Sequence, residues 1–351
     1  MAVTEFGTNS PQAVKVWSKL LFYQAIYKTF FKKFLGDDVG AIVRHVHELE
    51  RTAGDEVKYD LRVKMGGYGV RGDNPLRGNE EQLTFYQDTV RVDQLRQGHA
   101  FRRMSQQRTH HNLRAEARDA LKDWFAERWD ELMFGQLAGS FGDTPAAPPE
   151  FQSHGGNTLV APDAGHLHDK ATETFRTNHI EQLVEKAKNA DPLIEPANVN
   201  GMELFCLVVH PNCITDLRTG STGNEWKEIT KFAHMGDVKQ NPFFTGAVGM
   251  WANTVIYDST RVPLFSSGAN LYCRGLFLGR GAGVIAFGNP YSKIDQESVG
   301  SENMMSWFEE TADYGNEKGV AAGAVFGIKP SIFNSKRHGM IAFNVLAASH
   351  T

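Results

Sequence analysis

The stretch DEVKYDLRVKM, residues 55–65, alternates strictly, with Val57, Tyr59, Leu61, Val63 and Met65 on one side and Lys58, Asp60, Arg62 and Lys64 on the other. Successive side chains of a strand point to opposite faces, so this pattern predicts a strand with one wet face. A second strand is expected over 81–94. There Leu83 and Phe85 share one parity and Val90 and Val92 the other, which predicts a bulge near Gln87–Thr89. Between the two lies GGYGVRGDNPLRGNE, a run of turn formers that reads as a mobile tip. The strands pair as a long hairpin. A two-stranded hairpin is marginal in water, so it needs a partner surface, which another copy of the chain could supply.

Outward from the hairpin, residues 105–138 carry Leu113, Ala117, Leu121, Trp124, Leu132 and Leu137 near one face, with Arg114, Arg118, Asp119 and Lys122 mostly away from it. The reading is one helix ending at Gly139, roughly 50 Å long at ~1.5 Å per residue. A helix of that length beside a projecting hairpin is a structural spine. On the other side, residues 11–35 place Val14, Trp17, Leu21, Ala25 and Lys28 at helical spacing, with Phe22, Tyr23, Tyr27, Phe30 and Phe31 around them. This is more apolar surface than one face hides. It is either a first core helix or an arm whose aromatics dock on a neighbouring subunit.

Residues 139–165 hold Pro and Gly without periodicity and read as a long loop. A short helix is expected near His179–Asn189, and strands over 204–211, 253–259, 274–288 and 340–347. Helices early and strands late make an α+β plan.

Composition bounds the function. The 351 residues suggest two or three folding units, and 41% hydrophobic with 22% charged residues is ordinary for a globular chain. A formal charge of −4 argues against a dedicated nucleic-acid binder, which needs clustered Lys and Arg. Cys206, Cys213 and Cys273 have no C-x-x-C spacing and an odd count, which points to reduced thiols. No signal-peptide pattern, no apolar run of ~18 residues and no repeat is read, so no membrane association is expected.

Several motifs invite chemistry. Gly281, Gly283 and Ala286 within GRGAGVIA fit a dinucleotide fingerprint, but Asn289 and Pro290 follow too soon for the helix that would meet a pyrophosphate, so a turn between strands is expected. The pairs His45/His47, His110/His111 and His166/His168 lack an H-E-x-x-H or Cys/His companion. His45 and His47 are placed in a helix or its end and His166 and His168 in a loop, so no metal site is expected. Arg71, Gly72 and Asp73 spell an adhesion-type tripeptide that reads as ordinary turn chemistry. Arg102, Arg103 and Arg108 form a small basic patch, read as pairing with acids of adjacent subunits. Neither G-x-S-x-G nor a P-loop occurs, so no enzyme and no cofactor is expected.

The order of parts, with the runs GTNSPQAVKVWSKLLFYQA, GDEVKYDLRVKMGGYGVRGDNPLRGNEEQL, WKEITKFAHMGDVKQNPFFTGAVGMWANTVIYDSTRVP, RGLFLGRGAGVIAFG and WFEETADYGNEKGVAAGAVFGIKPSIFN, resembles the major capsid proteins of tailed bacteriophages, in particular the Enquatrovirus-type podovirus coat proteins. The resemblance implies the HK-97-like capsid fold: an N-terminal arm (1–54), an extended hairpin or E-loop (55–95), a peripheral domain (96–175 and 306–351) and an axial domain (176–305). It implies hexamers and pentamers closing an icosahedral head around double-stranded DNA held by non-specific contact. Portal, scaffolding and decoration proteins are the implied partners, and the virion, after assembly in the host cytoplasm, the implied location. On this reading Tyr59, Leu61, Phe85 and Val92 bury against another subunit, while Trp17, Phe22, Phe30 and Phe31 anchor the arm. An encapsulin-like compartment and a His-dependent metalloenzyme are the alternatives.

Overall fold

The computed structural model describes residues 21–38, 40–47, 54–140, 157, 159–199, 201–220, 229, 244–267, 270–289 and 304–347. Trp17 lies outside them, as does most of the expected loop at 139–165. The first described pieces are a helical stretch over 21–28, a 3-10 turn Phe30–Phe34, and two short parallel strands, β1 (Leu35–Gly36) and β2 (Val43–Val46). His45 therefore sits on a strand, with His47 just past its end, not on a helix.

The alternating stretch forms β3 (Glu56–Arg62) and pairs antiparallel with β4 (Phe85–Arg91), from Glu56 opposite Arg91 to Arg62 opposite Phe85. The register runs through without a shift, so the predicted bulge does not form. Its reason is Asp88: the inward positions of β4 are Tyr86, Asp88 and Val90, and Phe85 faces solvent. A buried carboxylate at an inward position disguised the true parity. The chain breaks at Val92 before β5 (Asp93–Arg102).

The helix expected over 105–138 is two helices, Arg103–Arg108 and the spine Leu113–Ala138. Asn112 starts the second one by accepting from the Ala115 N–H at 3.4 Å, which satisfies one of the orphan donors of a helix start. The spine is accordingly about 39 Å long. Its last two and a half turns are buried on nearly every side, from Trp129 and Asp130 to Leu132–Ala138. It stops at Gly139, whose φ of 74° is left-handed.

The strands that follow are β6 (Leu167–Thr174), β7 (Ala197–Val199), β8 (Met202–Val209), β9 (Ala247–Trp251), β10 (Thr254–Asp258) and β11 (Leu264–Ser267). Then come β12 (Asn270–Leu278), β13 (Gly283–Gly288), β14 (Met305–Ala312), β15 (Glu317–Pro330), β16 (Ile332–Phe333), β17 (Lys336–Arg337) and β18 (Met340–Leu346). Helices Thr177–Asn189 and Pro211–Gly220 flank β8 in sequence.

An eight-stranded sheet runs β6-β18-β12-β8-β10-β9, with β11 on β12 and β7 on β8. A six-stranded sheet runs β1-β2-β13-β15-β14, with β5 on β15. The stretch 274–288 holds two strands, one in each sheet, separated by the expected turn, in which Gly281 has φ of 69°. No helix follows that turn; β13 does, and the dinucleotide fingerprint has no structural basis here. The sheets also cut across the expected domain boundaries. β13, from the segment 176–305, pairs with β15, whereas β6 and β18, expected in the other domain, join the eight-stranded sheet. One apolar core links the spine helix to both, with Trp129 packed edge-on to Phe287 and Phe326.

Candidate assembly surfaces

The hairpin is fixed at its base. Val57, Tyr59 and Val90 are buried against Val46, Val284, Ala286 and Phe333, with Leu61, Tyr86 and Val92 partly covered at the margin. Asp88 is the polar centre of this contact. Its Oδ2 accepts from the Tyr59 hydroxyl at 2.5 Å and from the Ile332 N–H at 3.1 Å, and its Oδ1 pairs with the Lys329 ammonium. Burial and the neighbouring Asp88 charge push the Tyr59 hydroxyl far above its ordinary range, so Tyr59 remains a donor. β15 reaches β4 through Gly327, where a Cβ would lie 2.1 Å from the Arg91 carbonyl oxygen. Backbone contact that close admits no side chain.

Beyond the base, the hairpin carries its apolar side chains in solvent. Met65 and Leu76 are 62% exposed, Phe85 is 54% exposed, and Tyr68 is fully exposed. The tip is nevertheless pinned by Glu81, which accepts from the Gly66 and Gly67 N–H groups at 2.7 and 2.8 Å. Those two hydrogen bonds hold its carboxyl below the usual range. Lys64 reaches Glu195 at 2.7 Å, and Arg280 meets the same carboxylate at 2.8 Å.

The aromatic N-terminal segment is a core element in the described residues. Leu21, Phe22, Ala25, Phe31 and Phe34 are buried, and Phe30 packs partly against Phe134 and Tyr257. Phe22 meets Trp129 and Phe287 edge-on. Asp130 of the spine ties this segment down, accepting from Phe30 N–H at 2.8 Å and Phe31 N–H at 3.4 Å.

Burial, opposed mainly by the Phe30 hydrogen bond, raises the Asp130 carboxyl from 3.8 to about 6. A carboxyl with a raised folded-state value binds its proton more tightly in the native state. Its contribution is full below pH 3.8 and is lost as pH rises through about 6, by on the order of 3 kcal/mol. Asp130→Asn is therefore expected to gain stability relative to wild type between pH 4 and 6.5. Thermal denaturation at several pH values checks this; parallel curves for the two proteins would refute it.

The site residues expected from sequence separate into groups. Phe22, Phe31 and Tyr59 are covered by their own chain and leave little side-chain area for another subunit. Phe30, Leu61 and Val92 are partly covered in the same way. Phe85 alone of the described set stands free on the surface.

Sequence reading missed a second projection. β14 and β15 pair from Met305 opposite Ala324 to Ala312 opposite Glu317; their turn exposes Tyr314 fully, and Phe308 on β14 is 55% exposed. The signal was present in the turn formers Asp313, Gly315 and Asn316. The remaining motifs are surface features or core. Arg102, Arg103, Arg108, His110 and His111 are exposed, Arg71–Asp73 lies at the hairpin tip with Gly72 at φ of 66°, and His166 is buried against Asp163 at 2.7 Å. His168 lies on β6 instead of in a loop.

A body of two sheets on a spine helix, with a clamped hairpin thrust into solvent, is the architecture of a shell-building subunit. The chain is similar to the capsid of Ralstonia phage GP4, with a TM-score of 0.81 at 34% identity over 92% of each chain. The capsid subunit of cyanophage Pam1 is similar at a TM-score of 0.70 and 20% identity, over 99% of this chain and 95% of that one. The fold is the HK-97-like capsid fold. The major capsid protein of Pseudomonas phage KPP25 is 28% identical over 396 aligned residues, covering 98% of both chains. A family model of phage capsid proteins matches residues 5–347, and the chain belongs to that family. Its role is structural, that of a major capsid protein in the virion.

Proposed function

We propose that the chain closes an icosahedral head as pentamers and hexamers around packaged double-stranded DNA, with the hairpin as its principal reach to a neighbour. The observation that carries this is the contrast between a hairpin base buried around Asp88 and a shaft with Met65, Tyr68, Leu76 and Phe85 in solvent. Exposed strand edges and apolar side chains are an aggregation hazard in a monomer and an interface in a shell. Trp17 extends the same role to the arm. The net charge of −4 suits a wall that meets DNA only non-specifically. Portal, scaffolding and decoration proteins are the further partners, assembly takes place in the host cytoplasm, and no catalytic step is required of the chain.

The working division is arm 1–54, hairpin 55–95, peripheral domain 96–175 with 306–351, and axial domain 176–305. Sheet pairing favours moving β13 to the peripheral side and β6 with β18 to the axial side.

Sedimentation velocity of the expressed chain, with electron micrographs of the fast fraction, tests the proposal. Rings or shells support it, whereas a monomer that stays monomeric with a scaffolding protein present opposes it. Phe85→Asp refines the test. An exposed substitution should change folding stability by less than about 0.5 kcal/mol. Shell yield should nevertheless fall by about tenfold, the effect of losing roughly 1.4 kcal/mol per contact.

A further inference from the structure

We propose that Asp37, His45 and His47 form a binding site for a divalent transition-metal ion of the Zn²⁺ class, which fixes the end of the N-terminal segment to the six-stranded sheet. The site arises because His45 lies on β2 with His47 two residues on, so both rings come to one face of extended chain. Asp37 directly follows β1, whose Gly36 is opposite Arg44 of the parallel β2, and so comes alongside His45.

The donor atoms are already gathered. Asp37 Oδ1 lies 3.5 Å from His45 Nδ1 and 2.8 Å from His47 Nε2, and one ligand atom from each residue falls within 4.8 Å of the others. Tetrahedral bonds of ~2.0–2.1 Å separate neighbouring ligands by roughly 3.4 Å, so the observed spacings bracket what a single ion requires. The shifts needed are a fraction of an ångström to about one.

Orientation and access are also provided. The His45 ring is held edge-on to Phe287 at a centroid distance of 5.3 Å, and its side chain is 18% exposed. Asp37 and His47 are 74% and 47% exposed, which leaves the ion a direct path from solvent. Two imidazoles and one carboxylate suit Zn²⁺, Co²⁺ or Ni²⁺ better than Ca²⁺ or Mg²⁺, which prefer oxygen. A tetrahedral ion would complete its shell with water.

The consequence is structural. β1 is two residues long and pairs only with β2 among the described strands. An ion bridging residue 37 to residues 45 and 47 locks that pairing and sets where the chain departs toward the hairpin.

The test uses the full chain, stripped with chelator and dialysed against ZnCl₂, with bound metal per chain measured by mass spectrometry. Wild type should retain one ion more than His47→Gln and Asp37→Asn, whose apparent affinity should be at least about tenfold weaker. Co²⁺ should give wild type a tetrahedral visible band that both variants lack. Circular dichroism confirms that the variants fold, since both side chains are substantially exposed. Equal metal content in wild type and variants, or none in wild type, would overturn the proposal and leave the trio as a carboxylate hydrogen-bonded to two imidazoles.

Discussion

Asp88→Ala should destabilise the folded chain by about 3 kcal/mol or more and release the hairpin from its seat. The Asp88 side chain is 9% exposed and that of Lys329 18%. Removing the carboxylate strands the ammonium in a poorly hydrated place and leaves the Tyr59 hydroxyl and the Ile332 N–H without their acceptor. Breaking a buried pair from one side typically costs ~3–5 kcal/mol, because the remaining charge is uncompensated. The partial exposure of Lys329 places the expectation at the lower end. Denaturant unfolding reads the change. The double variant Asp88→Ala with Lys329→Met should recover part of the loss, since the stranded charge is gone; additive losses would show that the pair is not coupled.

Arg337→Met is the second large effect, and it acts at the end of the spine. Arg337 is 1% exposed and donates through Nη1 to the Leu137 carbonyl and through Nη2 to the Val160 carbonyl, both at 2.5 Å. Arg274 works beside it, donating to the Ser140 carbonyl at 2.8 Å and to Asn344 at 2.9 Å. Burial lowers each guanidinium to about 10, which leaves both charged near neutrality. The last carbonyls of a helix carry a partial negative charge and have no partner within the helix, so cations fit there. Gly139 leaves room for them, since a Cβ there would lie 2.1 Å from Arg337 Nη2.

Methionine fills most of the same volume but donates nothing. The buried Leu137 carbonyl and the part-buried Val160 carbonyl lose charge-assisted bonds, an expected cost of about 3 kcal/mol. Arg337→Lys keeps the charge without the fork and should fall between wild type and methionine. Thermal unfolding would contradict this account if all three proteins melted together.

The hairpin was legible because β3 obeys a period of two with charged residues on the wet face. Its docking was not, because it depends on Lys329 and Ile332, more than 240 residues away in sequence. The same distance hid the true parity of β4, since an inward Asp88 makes sense only beside Lys329. The spine helix was legible from its apolar spacing, while its break at Asn112 turned on a single cap. Local pattern does not decide between core and arm for the aromatic segment at 21–34, because its burial depends on Phe134, Tyr257 and Phe287. His45 and His47 were misplaced because a four-residue strand is too short to show a period. The division between the two sheets was illegible for a topological reason: β12 and β13 are consecutive in sequence and part company at one turn.

The measurement that tests the account most directly is an electron cryomicroscopy map of the assembled shell at side-chain resolution. Met65, Tyr68, Leu76 and Phe85 should each lie against a neighbouring subunit while Tyr59 and Asp88 keep their partners within the chain. A shell in which those four side chains remain in solvent would contradict the claim that the hairpin joins the subunits.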